Sequence, residues 1–201
     1  MSKTTGAIIL AAGNSSRLGR PKQLVPYRGQ TLLTHTITQI RNAGVHPVVV
    51  VTGAFHEEVS DSLDGQQLDI VFNPAWEEGM ASGIVAGLSK ILKQHPDVNA
   101  VIIAVCDQPF ISSELLLQMV NTLDASGKAI IACTYADSVG TPVLFGRAYF
   151  QQLLALSGSE GAKKLVKQHP ADLATIPFPD GHIDIDTIED AQKLTGNDAI
   201  K

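Results

Sequence analysis

Short apolar, β-branched runs recur along this chain, separated by amphipathic segments of helical length. The runs occupy residues 7–10, 48–51, 68–72, 100–105 and 129–133. Strands that are apolar on both faces are typical of a parallel sheet covered by helices on both sides. The segments between them carry apolar residues at helical spacing, and we predict helices at 31–42, 56–63, 80–92 and 112–123. The alternation predicts an α/β fold: a three-layer α/β/α sandwich with a mainly parallel sheet.

After residue 133 the alternation is less regular. We predict a strand at 140–145, and Pro142 near its start favours an edge strand or the first position of a strand. Two helices at 147–156 and 160–168, a strand at 173–176 and a helix at 187–194 complete the prediction. The length of 201 residues suits one domain. We expect that domain to span residues 1–196, followed by a frayed tail at 197–201.

The composition is that of an ordinary globular protein and argues against two classes of partner. A formal net charge of −5 and an aromatic content of 5% provide neither a basic face nor stacking platforms, so we expect no nucleic-acid partner. No apolar stretch approaches the roughly 20 residues that span a bilayer, and no signal peptide is evident. We therefore expect a cytoplasmic protein without a membrane partner. Cys106 and Cys133 lie in apolar runs without a CxxC partner, which favours buried free thiols over a zinc site.

A glycine-rich loop, residues 10–24, follows the first predicted strand. Its small residues leave the backbone bare, and Gly13 and Gly19 can adopt positive φ, which turns successive N–H groups toward one anion. Arg17, Arg20 and Lys22 add cations suited to a polyphosphate. A solvated basic turn explains this composition equally well. Neither the GxxxxGK[ST] motif nor a GxGxxG motif opening a helix is present.

Acidic residues follow one of the central apolar runs and recur near the end of the chain. Asp107 follows the apolar run that ends at Cys106, at the carboxyl end where open α/β sheets bind ligands. It is a candidate Mg²⁺ ligand, although a turn-capping aspartate is the simpler alternative. Asp184 and Asp186 lie on the same side of an extended segment. Asp186 is also suited to cap a helix, so its two interpretations compete.

The loop sequence LAAGNSSRLGRPKQL resembles the signature L-A-A-G-x-S-x-R-x-G-x-P-K-x-L of the MobA-like nucleotidyltransferases. Within that superfamily the chain resembles the molybdenum cofactor cytidylyltransferase branch. The similarity continues through EGMASGIVAGL, VCDQPF, GTPVLF, GSEGAKKLV and DIDTIEDA. It implies a glycosyltransferase-A-like, Rossmann-like nucleotidyltransferase fold and a Mg²⁺-dependent enzyme.

The resemblance assigns roles to individual residues. Arg17 would bind the β and γ phosphates, Lys22 would stabilise charge on the α-phosphate, and Asp107 and Asp186 would hold Mg²⁺. The catalytic residues are thus Lys22, Arg17 and Asp107. The nucleotide-binding residues are Leu10, Ala11, Ala12, Gly13, Ser15, Arg17, Lys22, Thr52, Gly53, Gly79, Met80, Ser82 and Asp107.

Two of these residues, Ala12 and Ser82, concern the base and ribose of the nucleotide. Ala12 gives the loop the LAAG form that favours cytosine in relatives, which implies CTP. Ser82 is a candidate contact for the base or ribose, and helix capping explains it equally well.

The acceptor side is implied by Gly140, Thr141, Pro142, Gly161 and Lys163. Relatives commonly have His, Asp and Arg where this chain has Thr141, Ser159 and Lys163. These departures leave the nucleotide half intact and weaken the assignment of molybdopterin as the acceptor.

The first hypothesis is transfer of CMP from CTP to molybdopterin or its molybdenum form, with release of pyrophosphate. In it, an acceptor phosphate attacks the α-phosphorus in line. The alternatives are transfer to a sugar or polyol phosphate, and a non-catalytic partner that hands cofactor to a molybdenum hydroxylase apoenzyme. A nicotinamide dehydrogenase is disfavoured because the dinucleotide-binding fingerprint is missing.

Overall fold

The computed structural model describes residues 4–16, 18–158, 161–187 and 189–190. Its strands lie where the apolar runs predict them, each within one or two residues, and two further short strands form a hairpin. In chain order they are β1 (Thr5–Ala11), β2 (Pro26–Tyr27), β3 (Gln30–Thr31), β4 (Val48–Thr52), β5 (Asp69–Phe72), β6 (Ala100–Val105), β7 (Ile130–Tyr135), β8 (Ser138–Gly146) and β9 (Leu173–Pro177).

The α-helices follow the predicted amphipathic segments. They are α1 (Leu32–Asn42), α2 (His56–Asp61), α3 (Met80–Gln94), α4 (Ser113–Ser126), α5 (Phe150–Leu154) and α6 (Lys163–Gln168). The side chains of Thr31 and Ser112 cap α1 and α4 by accepting a hydrogen bond from the backbone N–H three residues later. Among the described residues, no helix is long and apolar enough to cross a membrane.

Seven strands form one sheet in the order β5-β4-β1-β6-β8-β7-β9. The pairs β4–β5, β1–β4, β1–β6 and β7–β9 are parallel, whereas β8 is antiparallel to both of its neighbours. The sheet is therefore mainly parallel, as the sequence predicts.

The core lies on both faces of this sheet, which explains why the strands are apolar at consecutive positions. Ile9 of β1 faces a cluster that includes residues of α1, α2 and α4. Its neighbour Ile8 faces the opposite cluster, which includes residues of α3, α5 and α6. Helices thus cover both faces, and the predicted three-layer sandwich is confirmed.

Pro142 does not lie in an edge strand or at the first position of a strand, and this prediction was wrong. β8 runs between β6 and β7 in the interior of the sheet. Its pairing with β6 begins at Val143. Its pairing with β7 is irregular over residues 140–143, because Gly140 and Val143 pair with two consecutive residues of β7. Proline is accommodated at this irregularity because no regular ladder bond requires its missing N–H.

The helices predicted after β8 are shorter than expected. Residues Arg147–Tyr149 form a 3₁₀ turn before α5, and the Arg147 guanidinium holds that turn by donating to the carbonyls of Pro96 and Val98. The helix expected from residue 160 begins at Lys163, because Gly161 has a φ of 54° that an α-helix excludes. The helix predicted at 187–194 and the tail at 197–201 lie largely or wholly outside the described residues.

The sheet directions bring the candidate residues to one edge. The loops after β1, β4 and β6 leave the carboxyl ends of three parallel strands, where ligand sites form in such sheets. Because β8 is antiparallel to β6, its first residues lie at this same edge.

Candidate functional site

The loop after β1 folds back on a 3₁₀ turn formed by Lys22–Leu24. Gln23, fully buried, donates from Nε2 to the carbonyls of Ala11 and Gly13 at 2.7 and 3.2 Å. The Ser15 hydroxyl accepts a hydrogen bond of 3.0 Å from the backbone N–H of Lys22. These bonds hold the two ends of the loop together and fix where the Lys22 side chain begins.

The backbone conformation of the loop differs in part from the expectation. Gly19 adopts a positive φ of 70°, as predicted, but among the other described residues of the loop it is Ser15, at 48°, and not Gly13 that has a positive φ. Arg17, predicted to bind the β and γ phosphates, lies outside the described residues.

The structure brings Lys22, Asp107 and Asp186 together although they are far apart in the sequence. The Lys22 ammonium contacts Oδ2 of Asp107 and lies 3.3 Å from Oδ1 of Asp186. The backbone N–H of Ile185 donates to the carbonyl of Asp107 at 3.1 Å, which ties the two acidic segments to each other. A cation and two carboxylates therefore share one partly buried position at the carboxyl end of β6.

The competing interpretation of Asp186 as a helix cap is not supported by the hydrogen bonds. Thr187 and Asp190 form the reciprocal capping pair: Asp190 Oδ2 accepts from the Thr187 backbone N–H at 3.0 Å, and the Thr187 hydroxyl accepts from the Asp190 N–H at 3.2 Å. The carboxylate of Asp186 instead contacts Lys22.

The charges of this cluster shift its pKa values. Burial by itself would lower the pKa of Lys22, but the carboxylates of Asp107 and Asp186 outweigh it and the pKa is raised. Desolvation, followed by the negative charges of Asp107 and Asp186, raises the pKa of Asp184 to about 6. The neighbourhood therefore carries an excess of negative charge that a cation would stabilise.

The carboxylate oxygens of the cluster suit a hard divalent cation. Within the described residues, no group of three or more histidine, cysteine, aspartate or glutamate side chains is arranged to hold a metal. Mg²⁺ needs only one or two protein carboxylates, because phosphate oxygens and waters complete its shell. Oδ1 of Asp107 is buried without a hydrogen-bond partner, so this oxygen is available to a cation. Asp107 and Asp186 are thus suited to the role that the sequence predicts for them.

A cavity of about 230 Å³ opens beside Lys22 and Asp107. Seven of the predicted nucleotide-binding residues line it: Leu10, Ala12, Gly13, Lys22, Gly79, Met80 and Asp107. The sequence prediction missed four others that line it, Asn73, Trp76, Gly83 and Val105. Asn73 follows β5 as Asp107 follows β6, so the same strand-end argument would have found it. Trp76 carries no comparable signal.

Two further predicted residues, Thr52 and Gly53, do not line this cavity. Thr52 is buried, and its hydroxyl is 2.8 Å from Nδ1 of His56. A β-carbon on Gly53 would lie 2.6 Å from the carbonyl oxygen of Ala12 and 2.7 Å from Cβ of Trp76. Glycine at position 53 therefore allows Ala12 and Trp76, both in the wall, to approach each other.

Ser82 also has a supporting position. Its hydroxyl accepts a 2.8 Å hydrogen bond from Nδ2 of Asn73 and lies 2.8 Å from the carbonyl oxygens of Ala75 and Gly79. It does not cap α3, because the N-cap residue is Gly79, which has a φ of 109°. Ser82 thus joins the segment after β5 to the start of α3.

A second cavity of about 190 Å³ adjoins the first and shares Leu10, Met80 and Val105 with it. Three predicted acceptor residues line it, Gly140, Thr141 and Lys163. Gly161 supports it, because a β-carbon there would lie 3.3 Å from Cβ of Met80. Pro142 follows in β8, and Ser159 lies outside the described residues.

Most of the second cavity is apolar, and its polar groups are few. The wall includes Ile84, Ile103, Val139, Val143, Ala162 and Val166. Lys163 donates from Nζ to the Ser138 hydroxyl at 3.1 Å, and both residues line the cavity. Tyr135 supplies the aromatic part of the wall, and the sequence prediction missed it. The two cavities adjoin, and the first of them lies next to the charged cluster.

The cysteines take no part in this site. Cys106 and Cys133 are buried free thiols, as predicted. Burial raises the pKa of each to about 12, so both remain protonated at neutral pH.

Comparison with known proteins identifies the fold and the family. Residues 7–173 match the MobA-like NTP transferase domain. Nicotine blue oxidoreductase from Paenarthrobacter nicotinovorans is 30% identical over 196 residues, covering 93% of this chain and 94% of that protein. The bifunctional protein GlmU from Francisella tularensis is 32% identical over 135 residues, and this match spans 66% of the chain but 28% of GlmU.

Among solved structures, Rv0371c from Mycobacterium tuberculosis superposes with a TM-score of 0.79. It is 31% identical, and the match covers 97% of this chain and 99% of that one. A structure of Rv0371c in complex with manganese superposes with a TM-score of 0.75 over 96% of this chain and 98% of that one, at 28% identity.

Proposed function

This chain belongs to the MobA-like NTP transferase family, and we propose that it moves CMP from CTP onto a phosphate-bearing acceptor, with release of pyrophosphate. The proposed acceptor is molybdopterin or its molybdenum form, and the proposed metal is Mg²⁺. A molybdenum hydroxylase apoenzyme would receive the product.

One observation carries the proposal. The ammonium of Lys22 meets the carboxylates of Asp107 and Asp186, and Lys22 and Asp107 line the first cavity. The second cavity adjoins the first through Leu10, Met80 and Val105. Nucleotidyl transfer requires this arrangement, because a triphosphate and an acceptor must meet beside groups that stabilise negative charge. A site that only binds a nucleotide needs no second cavity.

The residues of the chain would divide the work as follows. Lys22 neutralises charge that develops on the α-phosphate, and Arg17 binds the departing β and γ phosphates. The wall formed by Ala12, Trp76 and Asn73 positions the nucleoside. A phosphate monoester is already nucleophilic near neutral pH, so no side chain has to act as a general base.

Asp107 and Asp186 would hold the magnesium ion. When bound, the ion supplies positive charge that neutralises phosphate oxygens during transfer. The relative with a manganese complex supports a divalent cation in this family.

Separate observations support the proposed base and the proposed acceptor. Ala12 lines the nucleotide cavity and supports cytosine through the LAAG form of the loop. The acceptor cavity is mainly apolar, with Lys163 beside it as a cation, and this suits a flat ring system that carries an anionic group.

A second candidate function is oxidoreduction of a compound such as nicotine blue, because a relative that matches along nearly its whole length is a nicotine blue oxidoreductase. The apolar second cavity would accept such a compound. The missing dinucleotide-binding fingerprint argues against this candidate.

The test is to incubate the protein with Mg²⁺, one nucleoside triphosphate at a time and molybdopterin, and to follow pyrophosphate release together with the mass of the product. We expect pyrophosphate release with CTP but with no other nucleoside triphosphate, and a product with the mass of molybdopterin joined to CMP. Release with a sugar or polyol phosphate in place of molybdopterin would reassign the acceptor. Tight cofactor binding without pyrophosphate would support the insertion-partner hypothesis, and oxidation of NAD(P)H by nicotine blue would support the second candidate.

A further inference from the structure

Tyr135 lies at the end of a strand, in the wall of the second cavity. It is the last residue of β7. Its backbone pairs with Ser138 across the two-residue turn to β8, and Ser138 lines the same cavity. The tip of this hairpin thus forms one side of the acceptor half.

Two glycines make room for the Tyr135 ring. A β-carbon on Gly140 would overlap the phenol oxygen, and a β-carbon on Gly181 would overlap the ring edge. The ring also packs edge-on against Phe178, with centroids 6.1 Å apart. Two segments, the start of β8 and residues 178–181, therefore define the place of the ring.

A buried amide holds the phenol group. Nε2 of Gln108 donates to the Tyr135 hydroxyl at 3.4 Å and to the carbonyl of Gly181 at 2.6 Å. The Gln108 side chain is buried, and it directly follows Asp107. Gln108 therefore connects the segment that carries the first metal-binding carboxylate to the wall of the acceptor cavity.

We propose that Tyr135 determines which acceptor the second cavity admits, and that Gln108 is the positioning residue that orients it. This inference rests on the proposed function, because it assigns the second cavity to the acceptor. The ring fixes the width of a mainly apolar cavity, so it selects a flat ring system over a bulkier or more polar body. Removing the ring leaves a space bounded by the two glycines, which contribute no side chain to refill it.

The test compares Tyr135→Phe, Tyr135→Ala, Gln108→Leu and the Tyr135→Ala/Gln108→Leu pair, each with molybdopterin as acceptor and CTP as donor. Tyr135→Ala should raise the KM for molybdopterin about tenfold and leave the KM for CTP within about twofold. Tyr135→Phe keeps the ring and should stay close to the wild type. Gln108→Leu should raise the acceptor KM, and the pair should show no further increase, because Gln108 acts through Tyr135.

Folding of each variant is checked independently by thermal unfolding followed by circular dichroism, and CTP binding by the change in fluorescence of Trp76, the one tryptophan of the chain. An acceptor KM that is unchanged in Tyr135→Ala, or a CTP KM that rises equally, overturns the proposal. So does an additive effect in the pair.

A binding assay separates this proposal from the proposed function. Pterin-6-carboxylate is used as a fluorescent probe, and its anisotropy is measured with wild-type and variant proteins without CTP. Loss of probe binding in Tyr135→Ala, but not in Tyr135→Phe, supports the role of Tyr135 even if no nucleotide is transferred. Turnover by the wild type together with probe binding that ignores Tyr135 would overturn the proposal and leave the proposed function standing.

Discussion

The ammonium nitrogen of Lys22 lies 3.3 Å from Oδ1 of Asp186, a residue 164 positions later in the chain. The same ammonium contacts Asp107. A single cation from the glycine-rich loop thus forms ion pairs with carboxylates from two other segments. Lys22 and a divalent cation are attracted to the same oxygens, so the charge of Lys22 opposes metal binding until a triphosphate engages it.

Lys22→Met should therefore lower turnover while it raises the affinity for a divalent cation. Turnover should drop about a hundredfold or more, because charge on the α-phosphate is no longer neutralised. The affinity for Mn²⁺ without nucleotide should rise about tenfold, because a positive charge beside the carboxylates is removed. Electron paramagnetic resonance of free Mn²⁺ measures the affinity. The control is Lys163→Met, which removes a lysine of the acceptor cavity and should leave the Mn²⁺ affinity unchanged. Weaker Mn²⁺ binding by Lys22→Met would contradict the argument.

Asp107→Asn should lose both turnover and metal affinity. The buried Oδ1 of Asp107 has no hydrogen-bond partner, and the amide removes the negative charge that draws a cation to it. We expect turnover to fall about a hundredfold or more. Asp180→Asn, which removes an exposed carboxylate from the segment preceding Asp186, is the matched control and should keep wild-type values. Calorimetric titration with Mn²⁺ and pyrophosphate release report the two effects; a fully active Asp107→Asn would exclude Asp107 from the metal site.

The sheet was predictable from sequence because burial on both faces leaves an unmistakable apolar run at each strand. The loop and its cations were also visible, and strand order then brought them to one edge. What the sequence did not contain were contacts made across long separations. Tyr135 lines a cavity only because Gly140 and Gly181 leave room for it, and no local pattern links position 135 to position 181.

The outcome for Ser82 and Pro142 shows a different limit. A serine near a helix start satisfies capping rules, yet its hydroxyl bonds to Asn73 because β5 ends beside α3. Proline usually marks an edge strand, yet a local irregularity in pairing admits it to the middle of this sheet. In both cases, tertiary contacts provided an alternative to the local rule.

Gly53→Ala should weaken nucleotide binding without touching the nucleotide. Its β-carbon would lie 2.6 Å from the Ala12 carbonyl oxygen and 2.7 Å from Cβ of Trp76, so one wall of the cavity has to move. We expect a loss of about 1–3 kcal/mol of stability and about tenfold weaker CTP binding by Trp76 fluorescence. Gly146→Ala is the control: its β-carbon would lie 3.3 Å from Cβ of Ala129, in a different part of the sheet. CTP affinity that falls equally in both variants would show a general effect of stability.

The turn between β7 and β8 should be stabilised by replacing Ala136-Asp137 with Asn-Gly. Ala136 and Asp137 have φ values of 45° and 55°, the conformation of a two-residue hairpin turn that favours Asn-Gly. Each unfavourable residue costs roughly 1–2 kcal/mol, so we expect a gain of about 1 kcal/mol and a rise in Tm of about 2–4 °C. Ala136→Val, with a β-branched side chain at positive φ, should lower Tm instead. The Tm values are measured by thermal unfolding followed by circular dichroism. An equal Tm in the wild type and both variants would show that the backbone of this turn is not strained.

The carboxylate of Asp172 should make the free energy of unfolding depend on pH under acidic conditions. Its Oδ1 accepts a 2.9 Å hydrogen bond from the Ala129 N–H, and its Oδ2 accepts a 2.8 Å hydrogen bond from the Tyr149 hydroxyl. These bonds, that of Ala129 foremost, lower the pKa of Asp172 in the folded state, so folding favours the carboxylate. The stabilisation is therefore complete above the unfolded pKa of about 3.9 and is lost as the pH falls through the lower folded value. Asp172→Asn should cost about 1 kcal/mol at pH 7, and its difference from the wild type should shrink below about pH 4. Urea unfolding from pH 7 down to about pH 2.5 measures this difference, with Asp97→Asn, which removes an exposed carboxylate, as the control. A difference that grows toward acid would show that the sign is wrong.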